Sequence, residues 1–271
     1  MKILFSAFLC ITLALVAWGG EPPVKDDYSR DYMTDLLLFE SKCDRPVTAE
    51  FLAGEYRLSQ DFFAPTQNLD PGYVEAPVVG VLSRDFKPIE VYFSSVTTTQ
   101  APGLFDVDIL FKNGKDVYSL QGSLSFNAVY FWDDRQEDYY CPYTFILVGT
   151  LVASDDSGHA LSGTYSATGY ATEDNPNLIL LDDLNVVADG YENRCFVGTI
   201  DIDGKKELCM WSDYRMPYRF DFDTGDGEMM INPKYNSPEW DALSDRFDTT
   251  RDSQGKRTVK YRNPWWTQYK K

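Results

Sequence analysis

Residues 117–132 alternate between large apolar and small polar side chains, and this alternation constrains the fold more than any other stretch. The even positions carry Tyr118, Leu120, Leu124, Phe126, Ala128, Tyr130 and Trp132. The odd positions carry Ser119, Gln121, Ser123, Ser125 and Asn127. A period of two indicates a β-strand with one face packed against other residues and one face exposed to solvent. The pattern is typical of a barrel whose polar side chains face an inner cavity and whose aromatic side chains face outward.

Turn-forming residues separate further strand-like stretches. Asn113-Gly114 and Asp203-Gly204 are two-residue hairpin signals, and residues 155–158 form a polar turn between two β-rich arms. Gly163 and Gly169 share one face of the second arm, where they leave room for close packing or a bend. We expect about ten to twelve strands with short connections. The sequence therefore predicts an all-β fold, a single antiparallel β-barrel or β-sandwich with a short N-terminal helix and an irregular C-terminal tail.

The first residues predict export from the cell. Lys2 precedes an apolar run that ends at Trp18, and small residues follow before Glu21. This is the pattern of a cleavable signal peptide over residues 1–20, although an uncleaved anchor helix is the alternative. No other segment approaches the ~20 apolar residues of a spanning helix, so we expect no transmembrane anchor. The mature protein is expected to be secreted, periplasmic or on the cell surface.

Composition changes divide the rest of the chain into three parts. Residues 21–50 form a leader and a short helix that Ser29 caps. Residues 51–232 form the antiparallel β domain, and residues 233–271 form a C-terminal extension with a basic, aromatic tail. The extension contains Trp265-Trp266, for which two interpretations remain. The pair is either a docking segment for a partner or a membrane surface, or part of a tail that closes the bottom of the sheet.

Four cysteines remain once the signal peptide is removed, and an even number in an exported chain predicts two disulfides. They are Cys43, Cys141, Cys195 and Cys209. We favour the pairs Cys195–Cys209 and Cys43–Cys141. A two-residue turn at Asp203-Gly204 would place Cys209 opposite Gly198, so the first pair requires a longer loop or a bulge.

The charge of the chain argues against nucleic acid as a partner. The net charge is −17, while residues 251–271 carry seven basic residues and one acidic residue. The body is therefore strongly acidic, and an acidic body repels polyanions and anionic membranes.

Carboxylates concentrate between residues 221 and 228. The candidate metal ligands, and the candidate catalytic groups if the protein is an enzyme, are Asp221, Asp223, Asp226 and Glu228. Calcium binds six to eight oxygens, so it is the one cofactor these residues suggest. Paired carboxylates on one strand, about 7 Å apart, also suit glycoside hydrolysis. Their spacing resembles the strand motif of jelly-roll glucanases, and this resemblance implies a hydrolase. The alternative to both a metal site and a catalytic site is a hairpin end whose charged side chains are solvated.

Aromatic side chains supply the candidate ligand-binding residues, since their faces bind sugars and apolar molecules. These candidates are Tyr118, Tyr130, Trp132, Tyr139, Tyr140 and Trp211. The alternative for residues 133–140 is a solvated loop held by a disulfide at Cys141. His159 is the single histidine of the chain and is expected to be a solvated loop residue. A serine or cysteine hydrolase would depend on this histidine alone, and the chain has no Gly-x-Ser-x-Gly motif.

These observations favour a non-enzymatic exported binding protein. It would hold a small molecule or carbohydrate in a barrel cavity or at the loop end of a sandwich. The alternatives are a surface module that binds another extracellular protein and a secreted carbohydrate-active hydrolase. Residues 53–57 (Ala-Gly-Glu-Tyr-Arg) resemble the start of calycin-type ligand-binding barrels, but five residues assign no family.

Overall fold

A computed structural model describes residues 45–69, 72–82, 85–133, 143–183, 192–218, 220–225 and 229–270. Strands make up 59% of the structure, which is an eight-stranded closed antiparallel barrel with extra strands and two short helices. The predicted all-β class is therefore confirmed, in its barrel form. In the part of the chain that is described, no helix has the length and apolar character needed to cross a bilayer.

The elements follow one another in three groups. The chain begins with β1 (Arg45–Pro46), α1 (Thr48–Leu52), β2 (Arg57–Leu58), β3 (Thr66–Leu69) and β4 (Gly72–Glu75). The barrel region contains β5 (Val78–Leu82), β6 (Lys87–Thr98), β7 (Leu104–Asn113), β8 (Asp116–Asp133), β9 (Tyr143–Ser154), β10 (Ala160–Thr172), β11 (Asn175–Leu181), β12 (Glu192–Ile202) and β13 (Lys205–Tyr214). The extension contains a 3-10 helix (Pro233–Tyr235), α2 (Pro238–Ser244), β14 (Phe247–Arg251), β15 (Arg257–Tyr261) and a second 3-10 helix (Trp265–Tyr269).

The barrel closes through β9, which pairs with both β8 and β10. The remaining order around the barrel is β8-β7-β6-β5-β13-β12-β10, and each of these neighbours is antiparallel. Closure gives every barrel strand two partners and removes the exposed edges of an open sheet. The predicted hairpins are present, because Asn113 pairs with Asp116 and Ile202 pairs with Lys205.

Apolar side chains fill the interior of the barrel. Leu120, Leu124 and Phe126 of β8 are almost completely buried in the main core. The sequence-based expectation of a polar interior was therefore wrong for this strand, because the large side chains face inward. Burying them removes more apolar surface from water than burying serine would, and this decides which face is inside.

A bulge in β8 breaks the regular alternation. Phe126 pairs with Gly149 and Ala128 pairs with Val148, so Asn127 has no residue opposite it. Beyond the bulge the inward positions are odd, and Val129 belongs to the buried core while Phe131 packs against it. Ala128 and Tyr130 consequently lie on the other face from Phe126, which the even-numbered pattern did not predict.

The C-terminal extension covers two apolar patches on the outside of the barrel. The larger patch joins Val81, Val197 and Met210 of the barrel to Phe222, which precedes the extension, and to Trp240 of the extension. In the smaller patch Trp266, 1% exposed, stacks on Tyr92 with ring centroids 5.1 Å apart. Trp266 is thus part of a packed tail, which supports the second interpretation of the tryptophan pair.

The predicted disulfide between Cys195 and Cys209 is not formed. The two-residue turn at Asp203-Gly204 places Cys209 opposite Gly198. Cys209 lies in the interior core, whereas Cys195 belongs to the larger outer patch. The two sulfurs therefore face opposite sides of one sheet, which no disulfide can span. Cys43 and Cys141 lie outside the described residues, as do the predicted signal peptide and the helix predicted at Ser29.

Candidate functional site

A pocket of 380 Å³ opens at one end of the barrel, and we call it the mouth pocket. Its walls come from α1 and β2, from the end of β6 and from the start of β7. They are formed by Phe51, Gly54, Tyr56, Arg57, Leu58, Ser59, Gln60, Phe63, Val96, Thr97, Thr98, Pro102, Gly103 and Phe105. The mouth of a closed barrel is a common place for a ligand, because strand ends and loops surround it there.

Aromatic rings form the inner wall of the mouth pocket. Phe63 stacks on Phe126 with ring centroids 6.3 Å apart and meets Phe105 edge-on at 5.2 Å. Phe51 also meets Phe126 edge-on, at 6.3 Å. Since Phe126 and Phe105 are buried core residues, the wall of the pocket is continuous with the interior of the barrel. The core therefore fixes the shape of the wall before any ligand arrives.

Hydrogen bonds to β8 hold α1 at the mouth. The Thr48 hydroxyl accepts a hydrogen bond from the Val129 amide at 2.9 Å and donates one to the Val129 carbonyl at 3.2 Å. The Val47 amide donates to the same carbonyl at 2.8 Å. These bonds fix Phe51, the buried residue of this short helix, against the barrel.

The turn between β6 and β7 approaches α1 closely. Gly103 has a φ of +78°, and a Cβ atom at this position would lie 2.8 Å from the Leu52 side chain. Only glycine combines this backbone conformation with so close an approach. The carbonyl of Gly103 also accepts a hydrogen bond from the Phe126 amide at 2.8 Å.

A buried ion pair positions the segment that follows Phe63. Arg194 and Asp213 are each 5% exposed, and Arg194 Nε donates to Asp213 Oδ2 at 2.6 Å. The same guanidinium donates to the carbonyls of Ala64 and Thr66. Burial raises the pKa of Asp213, and the charge of Arg194 opposes that shift. Sequence analysis missed this pair, although a polar Asn-Arg dipeptide at 193–194 within an apolar strand is a signal that marks it.

The predicted ligand-binding residues whose side chains are described, Tyr118, Tyr130 and Trp211, do not gather at one site. Tyr118 lies at the opposite end of the barrel, where its ring meets His159 edge-on at 4.9 Å. Trp211 is fully buried in the interior and stacks on Phe196 with centroids 4.1 Å apart. Tyr130 is half-buried on the other face of β8 from the core residue Val129. Of the remaining three, Trp132 lies in β8 and only its backbone is described, and Tyr139 and Tyr140 lie outside the described residues.

Two of the four carboxylates predicted to bind calcium or to catalyse hydrolysis, Asp221 and Asp223, form ion pairs. Asp223, 5% exposed, accepts a hydrogen bond from Arg215 Nε at 2.7 Å and others from the amides of Gly225 and Met230. Asp221 pairs with Lys234 and accepts a hydrogen bond from the Tyr235 hydroxyl at 2.7 Å. Asp226 and Glu228 lie outside the described residues. Within the described ranges, no group of three or more acidic, histidine or cysteine side chains is arranged to hold a metal ion.

His159 is held between two carboxylates rather than solvated. Its side chain is 13% exposed, with Nδ1 2.7 Å from Asp155 Oδ2 and Nε2 3.2 Å from Asp203 Oδ1. The hydrogen bond with Asp155, followed by the one with Asp203, raises the pKa of His159. The histidine thus joins the β9–β10 and β12–β13 turns at the end of the barrel opposite the mouth pocket. Its role there is structural.

Neither a protein-family model, nor a curated protein, nor a solved structure matches this chain.

Proposed function

We propose that the protein is a non-enzymatic binding protein that holds a small, largely apolar molecule in the mouth pocket. The observation that carries this proposal is the aromatic wall of a 380 Å³ pocket at the mouth of a closed barrel. Pockets for small molecules commonly measure about 300–1,000 Å³ and combine apolar walls with a few polar groups. The mouth pocket has both features.

The distribution of polar groups describes the expected ligand. Phe63, Val96 and Phe105 supply the apolar surface, while Arg57, Gln60, Thr97 and Thr98 supply polar groups at the rim. A flat or branched hydrocarbon body would contact the rings, and a polar end would stay at the rim. A carbohydrate fits less well, because hydroxyl groups around its ring would be buried against Phe and Val without hydrogen-bond partners.

A fluorescent probe tests the pocket directly. The neutral probe N-phenyl-1-naphthylamine should bind the purified protein saturably, with increased emission, because its rings match the aromatic wall. Thr98 is exposed, lines the pocket and lies on the same face of β6 as Val96, so Thr98→Trp places a large ring at the rim and should weaken binding about tenfold or more. Tryptophan suits a strand position, so the fold should be kept.

Thr150→Trp is the matched control. Thr150 is exposed on β9 and does not line the mouth pocket, so this variant should bind the probe like the wild type. Equal affinity of Thr98→Trp and the wild type would contradict the proposal, as would a fluorescence increase that never saturates.

We infer in addition that the protein acts after export. This inference is supported by the order of residue types in residues 1–20, where a charged residue is followed by an apolar run and then by small residues, as in a signal peptide. The mature protein isolated from its producing cells should begin after Gly19 or Gly20. Mass spectrometry of its N-terminal peptide checks this, and a chain that retains residues 1–20 would contradict it.

A further inference from the structure

A second cavity, of 630 Å³, lies outside the barrel, and we call it the extension cleft. One wall is the outer face of β6 and β7, a second is α2, and a third is the chain that follows β15. The lining residues that matter here are Glu90, Lys112, Ala242, Arg246, Tyr261 and Trp265. The cleft shares no lining residue with the mouth pocket, so its chemistry is independent of the proposed function.

One charged pair in the extension cleft is already neutralised. Glu90 is 4% exposed and accepts hydrogen bonds from Lys112 Nζ at 2.5 Å and from the Tyr261 hydroxyl. Lys112 Nζ also lies 5.2 Å from the ring centroid of Trp265. Carboxylate, ammonium and hydroxyl therefore satisfy one another, and Lys112 is not available as a full charge for a ligand.

Arg246 differs from the other buried or cleft-lining arginines of the described residues, because each of those forms an ion pair with a carboxylate. Arg194 pairs with Asp213, Arg215 with Asp223, and Arg262 with both Asp245 and Asp248. Arg246 Nη1 donates to the Leu243 carbonyl at 3.0 Å, but within the described part of the chain no carboxylate forms an ion pair with it.

Among the described residues Arg246 has no ion-pair partner at contact distance, and its environment makes this costly. Its Nε is buried and has no hydrogen-bond acceptor, and burial lowers the pKa of its guanidinium, a shift that the charges of Tyr261 and Glu90 oppose. A guanidinium partly withdrawn from water without an ion-pair partner loses hydration that a bound anion can replace. A ligand that brings an anion would therefore gain affinity from this group.

We propose that the extension cleft binds a small organic monocarboxylate through the guanidinium of Arg246. The planar guanidinium matches the two oxygens of a carboxylate. Pro88, Ala242 and Leu243 offer apolar contact to the body of such a molecule. Glu239 and Asp241 also line the cleft, and their negative charges disfavour ligands with several charges, such as phosphate.

Calorimetric titration of the purified protein with benzoate tests this proposal. Benzoate should bind with one site per chain, and the neutral isostere benzamide should bind about tenfold more weakly or not at all. Inorganic phosphate should bind more weakly than benzoate. Comparable affinity for benzamide or for phosphate would overturn the proposal, as would the absence of benzoate binding up to ~10 mM.

Variants assign the binding to the cleft. Arg246→Gln should lower benzoate affinity about tenfold or more, whereas Arg251→Gln should not change it. Arg251 is exposed on β14 and does not line the cleft, so it controls for the loss of one positive charge. Wild-type affinity in folded Arg246→Gln would overturn the proposal.

Two further variants keep the result interpretable. Ala242 is an exposed residue of α2 that lines the cleft, so Ala242→Phe should fill the cleft and weaken benzoate binding even if Arg246→Gln does not fold. Unchanged affinity in Ala242→Phe would count against the cleft. Thr98→Trp, which obstructs the mouth pocket, should leave benzoate affinity unchanged, and a loss there would place benzoate in the mouth pocket instead.

Discussion

At the scale of single residues, His159 shows how one side chain can join two turns that are distant in sequence. Both of its ring nitrogens face carboxylates, those of Asp155 and Asp203. Carboxylates accept hydrogen bonds and do not donate them when ionised, so both contacts are hydrogen bonds only when both ring nitrogens carry protons. These contacts favour the imidazolium and raise the pKa of His159, so its contribution to stability depends on pH.

The sign of this dependence follows from the raised pKa of His159. A group whose pKa is higher in the folded than in the unfolded protein stabilises the folded state. For His159 this stabilisation is complete below the pKa of the unfolded state, 6.5, and it is lost as the pH rises through the pKa of the folded state. We expect His159→Gln to lower the urea midpoint most at about pH 5.5 and progressively less towards about pH 9. Urea unfolding of both proteins across this range checks it. A difference in midpoint that stays constant with pH would show that the charge of His159 does not contribute.

At the scale of elements, the bulge in β8 allows one long strand to keep its apolar side chains inside the barrel. The strand is 18 residues long and pairs with both β7 and β9. Its inward positions are even as far as Phe126 and odd from Val129 onward. A single extra residue, Asn127, produces that change, because side chains of a regular strand alternate with a period of two.

Single-residue deletions in β8 should therefore differ sharply in effect. Deleting Asn127 removes the bulge but leaves Phe126 and Val129 facing inward, so the protein should fold with somewhat reduced stability. Deleting Ser123 should move Leu124 and Phe126 to the outer face and prevent folding. Near-ultraviolet circular dichroism and the urea midpoint distinguish the two. Equal behaviour of the two deletions would contradict this account of the bulge.

At the scale of the whole molecule, the C-terminal extension covers apolar surface on the outside of the closed barrel. Its aromatic side chains cover the two outer apolar patches, and Trp240 Nε1 donates to the Phe86 carbonyl at 3.0 Å. Glu75 accepts hydrogen bonds from Tyr92, Trp266 and Lys270, which fastens the last 3-10 helix to the body. The basic tail is thus held by apolar contact as well as by an acidic partner.

Truncation tests how far the barrel depends on this cover. A chain that ends at Tyr214 keeps all barrel strands but exposes Val81, Val197 and Met210 to water. We expect it to self-associate and to bind the dye anilinonaphthalene sulfonate strongly, since large exposed apolar patches promote both. A chain that ends at Arg262 uncovers only the smaller patch around Tyr92 and should show a weaker effect. Size-exclusion chromatography and dye fluorescence provide the comparison, and a monomeric Tyr214 truncation that binds no dye would refute the expectation.

Local patterns in the sequence determined the class of fold and much of the strand pairing. The turns at Asn113-Gly114 and Asp203-Gly204 were predicted because their residues favour tight hairpins irrespective of the rest of the chain. The close packing predicted at Gly163 and Gly169 was also correct. A Cβ at Gly163 would lie 2.4 Å from the Val197 carbonyl, and one at Gly169 would lie 2.5 Å from the Ile179 side chain.

The candidate site was much less accessible to sequence analysis. None of the three predicted aromatic residues whose side chains are described, Tyr118, Tyr130 and Trp211, lines the mouth pocket, whose wall contains Phe51, Phe63 and Phe105. Nothing in the local sequence distinguishes these phenylalanines from the many that are simply buried. Arg246 likewise resembles several other basic residues in the sequence, and only the fold shows that no described carboxylate forms an ion pair with it.

The sequence by itself therefore determined that the chain forms antiparallel strands and where several of its hairpins turn, since propensity, alternation and turn chemistry act over a few neighbouring residues. Only the tertiary structure decided which face of β8 is inside, on which sides Cys195 and Cys209 lie, and which aromatic residues meet at the mouth. Those outcomes depend on closure of the barrel and on the cover supplied by the extension. Both bring together residues far apart in the chain, and the burial of apolar surface is decided by the whole set of contacts at once.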